Sequence, residues 1–300
     1  MLHGLKGFFQ FISAERGFML FMTSMGSSFL IEEKLSWLQA VYLGSIVFCG
    51  WSGVDAINNI CDVSLDMKSD PFRAQYTKNL GRLRFCISIF FSVLAVSLGA
   101  ITLIPLVTVL IVVGILVGVL YSVPPFRLRQ TILKPLVNFS VGSVPVLIVA
   151  AFHDVFVAKV WPLVFLIGTT TAVNSLWEDL ADYVSDFDSQ ARTMLIVLGL
   201  KRGLLMTIFL GYCLVPLMVL VGMLFSLTLP YYLILSALVT YMSLRLIQKR
   251  SILLGKSDDN RESTLELGGI LAKDFVIMAL VQTTNLMLAG YLKYQPAFFW

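Results

Sequence analysis

The sequence predicts an all-α, polytopic membrane protein: nine transmembrane helices around a central cavity, built as two related four-helix halves plus a ninth helix. Three observations carry this reading. Of 300 residues, 58% are hydrophobic and only 13% charged, against roughly 45–50% apolar and about 25% charged in soluble domains. So little charge cannot cover a water-facing surface, and the mean hydropathy of +0.86 agrees. The apolar residues also collect into nine runs, each near the ~20 residues that cross a bilayer. Finally, the basic residues crowd into alternate connections between those runs. Together these exclude a soluble enzyme, a disordered chain and a nucleic-acid binder.

The runs follow in order. Residues 7–30 begin after Lys6 and carry Glu15 and Arg16 near their start. Residues 36–57 follow Lys34 and lead into an acidic row, with Asp55 inside the run. An ionisable group there is costly and marks function or pairing. Residues 83–100 and 101–121 adjoin. Together they are about twice as long as a bilayer requires, so a short turn between Gly99 and Pro105 divides them. Residues 132–152 follow a basic segment, and 160–177 lead into a second acidic row. Residues 203–225, 228–247 and 270–292 complete the set, with the mixed-charge stretch 249–266 read as a solvated loop. Cys49, Cys61, Cys86 and Cys213 sit in or beside apolar runs and form no CxxC pair, so they read as free thiols. No low-complexity linker interrupts the chain, and residues 1–300 read as one integral-membrane domain.

Orientation follows from Lys and Arg, which favour cytoplasmic loops. With the N-terminus inside, 19 of the 22 basic residues are cytoplasmic, and only Lys34, Lys159 and Lys293 lie outside. The C-terminus is then outside. The longer inner loops also hold almost all the acidic residues, which places a polar site on the cytoplasmic face. The absence of a targeting segment and the compact length point to a prokaryotic plasma membrane.

The first acidic row is Asn58, Asp62 and Asp66; the second is Glu178, Asp182 and Asp186, about 120 residues later. Residues four apart share one face of a helix. Asp70 extends the first row if helix continues to it, although Pro71 disfavours that. Asp179 competes with Glu178 for the face of the second row, and Asp188 lies just beyond it. Carboxylates one turn apart repel, and a cation between them removes the penalty. Hard divalent cations prefer such oxygen ligands, and Mg²⁺ commonly links one or two carboxylates to a substrate phosphate. Lys68 and Arg73 lie beside the first row, Arg192 beside the second, and Tyr121 to Arg129 form a third basic segment. Mg²⁺ with Arg and Lys suits a diphosphate head, and an apolar bundle suits a hydrocarbon tail.

These motifs resemble the UbiA superfamily of intramembrane prenyltransferases. The first motif of that family is matched by Asn58, Asp62 and Asp66, the second by Asp182, Asp186 and Arg192-Thr193, and an intervening Tyr-Ser motif by Tyr121 and Ser122 with Arg127 and Arg129. Many members carry Asp where this chain has Asn59, and of their Arg-Pro-x-Arg-Pro stretch only Pro71 and Arg73 remain. The resemblance implies that Asn58, Asp62, Asp66, Asp182 and Asp186 hold Mg²⁺, while Asn58, Lys68, Arg73, Ser122, Arg127 and Arg192 bind the diphosphate of an isoprenyl donor, geranyl to geranylgeranyl or longer. Ionisation then gives an allylic carbocation beside Tyr121, and an aromatic or hydroxyl acceptor attacks it. The family leaves open the acceptor, and whether the product serves lipid or quinone biosynthesis. A transporter of an anionic or phosphorylated solute is the rival reading. Both acidic rows lie on one face, which weakens alternating access.

Overall fold

The structure is a computed structural model. It describes residues 2–32, 36–250 and 261–294, apart from the side chains of residues 2, 68, 69, 185 and 261–264. Among the described residues there is helix and no strand. The chain runs through α1 (Leu2–Phe11), α2 (Ala14–Ile31), α3 (Trp37–Cys61), α4 (Val63–Ser69), α5 (Pro71–Asn79), α6 (Leu83–Ile101) and α7 (Pro105–Ser122). A 3₁₀ turn (Leu128–Gln130) precedes α8 (Lys134–Phe152), α9 (Val160–Ala181), α10 (Tyr183–Asp188), α11 (Met194–Leu198), α12 (Leu200–Leu224), α13 (Leu229–Gln248) and α14 (Arg261–Leu292).

Among the described residues, eight helices are long and apolar enough to cross a membrane: α3, α6, α7, α8, α9, α12, α13 and α14. α2 is the ninth long helix. Its 18 residues include Glu15, Arg16 and four Ser or Thr, and these lower its hydropathy. The expected run 7–30 is not one helix, because the chain breaks at Ser13, which takes φ 45°. Leu103, at φ 59°, makes the expected turn between α6 and α7. The expected loop 249–266 is shorter than its polarity suggests, since helix begins at Arg261; residues 251–260 lie outside the described residues.

The helices differ in how much of their apolar length the bundle covers. In α3, α8 and α9 at least half of the apolar window is buried, 61% in α3; in α6 and α13 the share is 17%. The inner helices meet closely where small residues face them. A Cβ on Gly142 of α8 would lie 2.2 Å from Thr171 Oγ1 of α9, and one on Gly168 would lie 2.4 Å from Ser143 Oγ. In a membrane, where lipid is as apolar as leucine, such close packing is a main source of helix association.

The two halves share one plan. α2, α3, α6 and α7 form the first, α8, α9, α12 and α13 the second, and α14 packs on α2 and α9. Each half has its acidic row at the end of its second long helix. All four cysteines are free.

Candidate active site

Each row sits where a long helix stops and a short one starts. α3 ends at Cys61, Asp62 takes φ −101° and ψ 4°, and α4 begins at Val63. α9 ends at Ala181, Asp182 takes φ −94° and ψ 5°, and α10 begins at Tyr183. The four-residue hydrogen bonds persist through both bends. Asp62 N–H donates to Asn58 O at 3.0 Å and Asp66 N–H to Asp62 O at 2.9 Å; Asp182 and Asp186 repeat this onto Glu178 O and Asp182 O, both at 2.9 Å. The rows are thus bent, not the straight helical stripes that spacing alone predicts. Asp70 does not extend the first row. It caps α5, accepting from Arg73 N–H at 3.1 Å, with Pro71 in the first helical position.

Between α2, α3, α7, α8, α9 and α14 lies an open cavity lined by both charged and apolar side chains. Five of the expected residues line it: Asn58, Asp66, Arg73, Tyr121 and Asp182. Asp62 stands behind the wall, its side chain 1% exposed, paired with Arg129 and, at 3.0 Å, with Arg127 Nη2. Arg129 Nη1 also donates to Asn58 Oδ1 at 3.2 Å, and Ser122 Oγ donates to the same oxygen at 3.1 Å. The 3₁₀ turn therefore folds back over the end of α3. Arg73 Nη2 pairs with Asp66 Oδ2 at 3.0 Å and spans to Asp70. The structure does not bring Arg192 to the cavity. Its side chain is exposed, and its backbone N–H donates to Gln130 O at 2.8 Å. The Lys68 side chain lies outside the described residues.

Further charged residues line it whose partners the sequence left open: Arg16, Asp55, Arg129, Lys134 and Glu178. The choice between Glu178 and Asp179 resolves here. Glu178 faces the cavity and pairs with Arg16 at 3.0 Å, whereas Asp179 is fully buried against Lys134. Lys134, near the start of the expected run 132–152, opens α8 and is itself buried. The signal was there: a charge abutting an apolar run needs a partner.

Burial pushes Asp66 above the usual carboxylate range, with Arg73 opposing and Asp182 adding. Burial pushes Asp186 up to about 6; Lys134 opposes this, and the Asp179 and Asp182 carboxylates reinforce it. Neither Asp182 nor Asp186 has a side-chain hydrogen bond or ion pair among the described residues. Unpaired, crowded carboxylates of this kind fit a hard divalent cation. Among the described residues no three acidic, His or Cys side chains converge on one point, since arginines hold Asp62 and Asp66.

Two apolar pockets adjoin the cavity. One, between α3, α7 and α8, shares Leu20 and Trp51 with it; the other, among α9, α12, α13 and α14, shares Ile167, Thr170, Ala279 and Thr283.

The profile of the UbiA prenyltransferase family matches residues 19–254, a span that contains both acidic rows. The chain belongs to this family. It is therefore an intramembrane prenyltransferase with several membrane-crossing helices. No curated protein matches its sequence. Solved UbiA-type structures share its fold at low identity. An apo UbiA homologue from Aeropyrum pernix K1 aligns with TM-score 0.68 at 16% identity, over 94% of this chain and 98% of its own. A structure of digeranylgeranylglyceryl phosphate synthase gives 0.65 at 16% identity, covering 96% and 98%. A UbiA homologue from Archaeoglobus fulgidus, bound to DMAPP and Mg²⁺, gives 0.63 at 15%, covering 92% and 98%.

Proposed function

We propose that the chain is a single-domain, Mg²⁺-dependent prenyltransferase that moves a prenyl group from an allylic isoprenyl diphosphate to a lipophilic aromatic or hydroxyl acceptor. One observation carries this. A single cavity joins the ends of both acidic rows, with Arg73 and Arg129 among them, to apolar pockets on either side. A charged head and a hydrocarbon tail need that combination. The fold neighbour from Archaeoglobus fulgidus bound to DMAPP and Mg²⁺ supports the choice of donor and metal.

In this reading Asn58, Asp62, Asp66, Asp182 and Asp186 would hold the metal, Asp62 and Asp66 on release from their arginine partners. When bound, Mg²⁺ supplies positive charge to the diphosphate oxygens. Arg73 and Arg129 add charge from the wall, and Lys68 and Arg192 are the further cations that the family resemblance assigns to the diphosphate. Arg127 and Ser122 act through their partners, fixing Asp62 and the Asn58 amide. The bond between prenyl C1 and the diphosphate oxygen breaks, and its electron pair leaves with the diphosphate. Negative charge grows there in the transition state, so these cations bind that state more tightly than the ground state. The remaining allylic cation lies beside Tyr121, whose ring face attracts positive charge. The apolar pockets keep water from it. The acceptor attacks C1 and gives up a proton.

The far end of the bundle supports an enzyme over a transporter. Glu32, His153, Ser28 and Tyr294 interlock there: Ser28 Oγ lies 3.2 Å from His153 Nε2, His153 Nδ1 pairs with Glu32, and the Tyr294 hydroxyl donates to Glu32 O. Such a tied end does not suit alternating access. The charge distribution supports a cytoplasmic N-terminus and site, with the C-terminus outside.

The test is diphosphate release from geranylgeranyl diphosphate by the protein in lipid nanodiscs, with a panel of acceptors. Release that needs Mg²⁺, stops with EDTA and falls at least ~100-fold in Asp62→Asn and Asp182→Asn is the expected result. Mg²⁺-independent behaviour, or vectorial uptake of an anionic solute without bond cleavage, overturns the proposal.

A further inference from the structure

Asp55 lies within α3 and lines the cavity, 6% exposed, yet it has no hydrogen bond or ion pair among the described residues. Its charged neighbours are Arg16, Arg73, Arg129 and Glu178. Every one of these cations is committed elsewhere: Arg16 to Glu178, Arg73 to Asp66, Arg129 to Asp62 and Asn58. A carboxylate kept in a membrane protein's interior is costly, and one left without a partner is a binding group. It also lies seven residues before Asp62, about 10 Å deeper along the helix. That position puts it between the arginine-bearing mouth and the apolar wall of Trp51 and Leu20.

Two more atoms on the same cavity wait for partners. Trp51 Nε1 and Asn174 Oδ1 are buried and unbonded. Trp51 is one helical turn before Asp55, hence on the same face of α3. A donor and an acceptor side by side match a hydroxyl, which both accepts and donates. An ammonium group can only donate, and a carboxylate would meet the charges of Asp55 and Glu178.

We propose that Asp55, with Trp51 beside it, is the acceptor-binding site of this enzyme, and that the acceptor presents a neutral hydroxyl, a phenol or an alcohol, rather than a carboxylate. This rests on the prenyltransferase reading above. Trp51 N–H donates to the hydroxyl oxygen and the hydroxyl donates to Asp55. For attack through oxygen, the acceptor oxygen forms its bond to C1 of the prenyl cation, the O–H bond breaks, and the proton passes to the Asp55 carboxylate. Asp55 is then a specificity-determining residue that also receives the proton.

The experiment uses the full chain in nanodiscs with Mg²⁺ and three probes of equal tail: 4-octylphenol, 4-octylanisole and 4-octylbenzoate. Binding of each is measured in the presence of a non-ionising thiolo analogue of geranylgeranyl diphosphate, and turnover with the diphosphate itself. The phenol is expected to bind and to be prenylated, and the other two to bind at least ~10-fold more weakly. Loss of one charge-assisted hydrogen bond makes Asp55→Asn lower kcat/KM for the phenol ~10–100-fold, with Mg²⁺-dependent binding of the analogue changed less than twofold. Asp55→Glu restores part of the loss, and Trp51→Phe, which keeps the ring, raises KM more than it lowers kcat. Preference for the benzoate, no phenol binding to the donor-loaded protein, or loss of analogue binding in Asp55→Asn overturns the proposal. Failure of the wild type to bind the analogue with Mg²⁺ instead overturns the prenyltransferase reading itself.

Discussion

Asp66 and Asp186 resist ionisation first because each is buried, and neighbouring carboxylates add to the effect while Arg73 and Lys134 oppose it. A carboxyl whose folded value is raised adds stability below its unfolded value, roughly pH 4, and loses that contribution as pH rises through its folded value. For Asp186 that window ends at about 6. The metal-free protein at neutral pH therefore carries repulsion that it lacks at pH 5. A divalent cation removes it. Thermal unfolding in detergent is expected to show a larger rise in Tm on adding Mg²⁺ at pH 7.5 than at pH 5, and Asp186→Asn is expected to shrink the difference. An equal rise at both pH values would mean that the cation binds elsewhere.

Pairs of helices hold these residues in place, and α8 and α9 are the pair most intimately packed. Besides their small-residue contacts they share the buried Lys134–Asp179 ion pair. Taking one partner from a buried pair leaves an uncompensated charge and costs on the order of 3–5 kcal/mol, whereas replacing both with apolar residues is often neutral. Lys134→Met is expected to destabilise the protein by about that much, and Lys134→Met with Asp179→Leu to recover most of it, read from unfolding midpoints in one detergent. A double variant as weak as the single one would refute the pairing argument. This same pair shows where the sequence stops being legible. Apolar runs and turn residues placed most of the long helices within a few residues, because hydrophobic length is a local property; α2 starts seven residues after its expected run and α14 nine residues before its own. The four-residue rows were legible too, being local periodicity. The identity of the partners was not. Lys134 with Asp179, Arg129 with Asp62 and Arg16 with Glu178 are joined by tertiary packing, over 45, 67 and 162 positions of sequence. Arg192 fails for the opposite reason: it neighbours Asp186 in sequence, but the turn after α10 sends its side chain outward.

At the scale of the whole molecule, the charge asymmetry and the packing make one argument. The ends of α3, α7 and α9 and the starts of α2 and α8 gather at one end of the bundle, linked by Arg16–Glu178, Arg129–Asp62 and Lys134–Asp179. That end also holds α1, α4, α5 and α10, with Lys6 stacked 5.3 Å above the Phe72 ring. Lys159, at the other end, stands 5.5 Å over Phe225. If the basic end faces the cytoplasm, then in a variant lacking the four native cysteines a membrane-impermeant maleimide added to intact cells should label Lys159→Cys and Lys293→Cys. His3→Cys and Lys78→Cys should react only after the membrane is permeabilised. The reverse pattern would turn the cavity mouth outward, away from soluble cytoplasmic diphosphates. The donor would then have to reach the acidic rows from the external side, and the charge rule would have failed for a chain whose sequence assigns 19 of its 22 basic residues to one side.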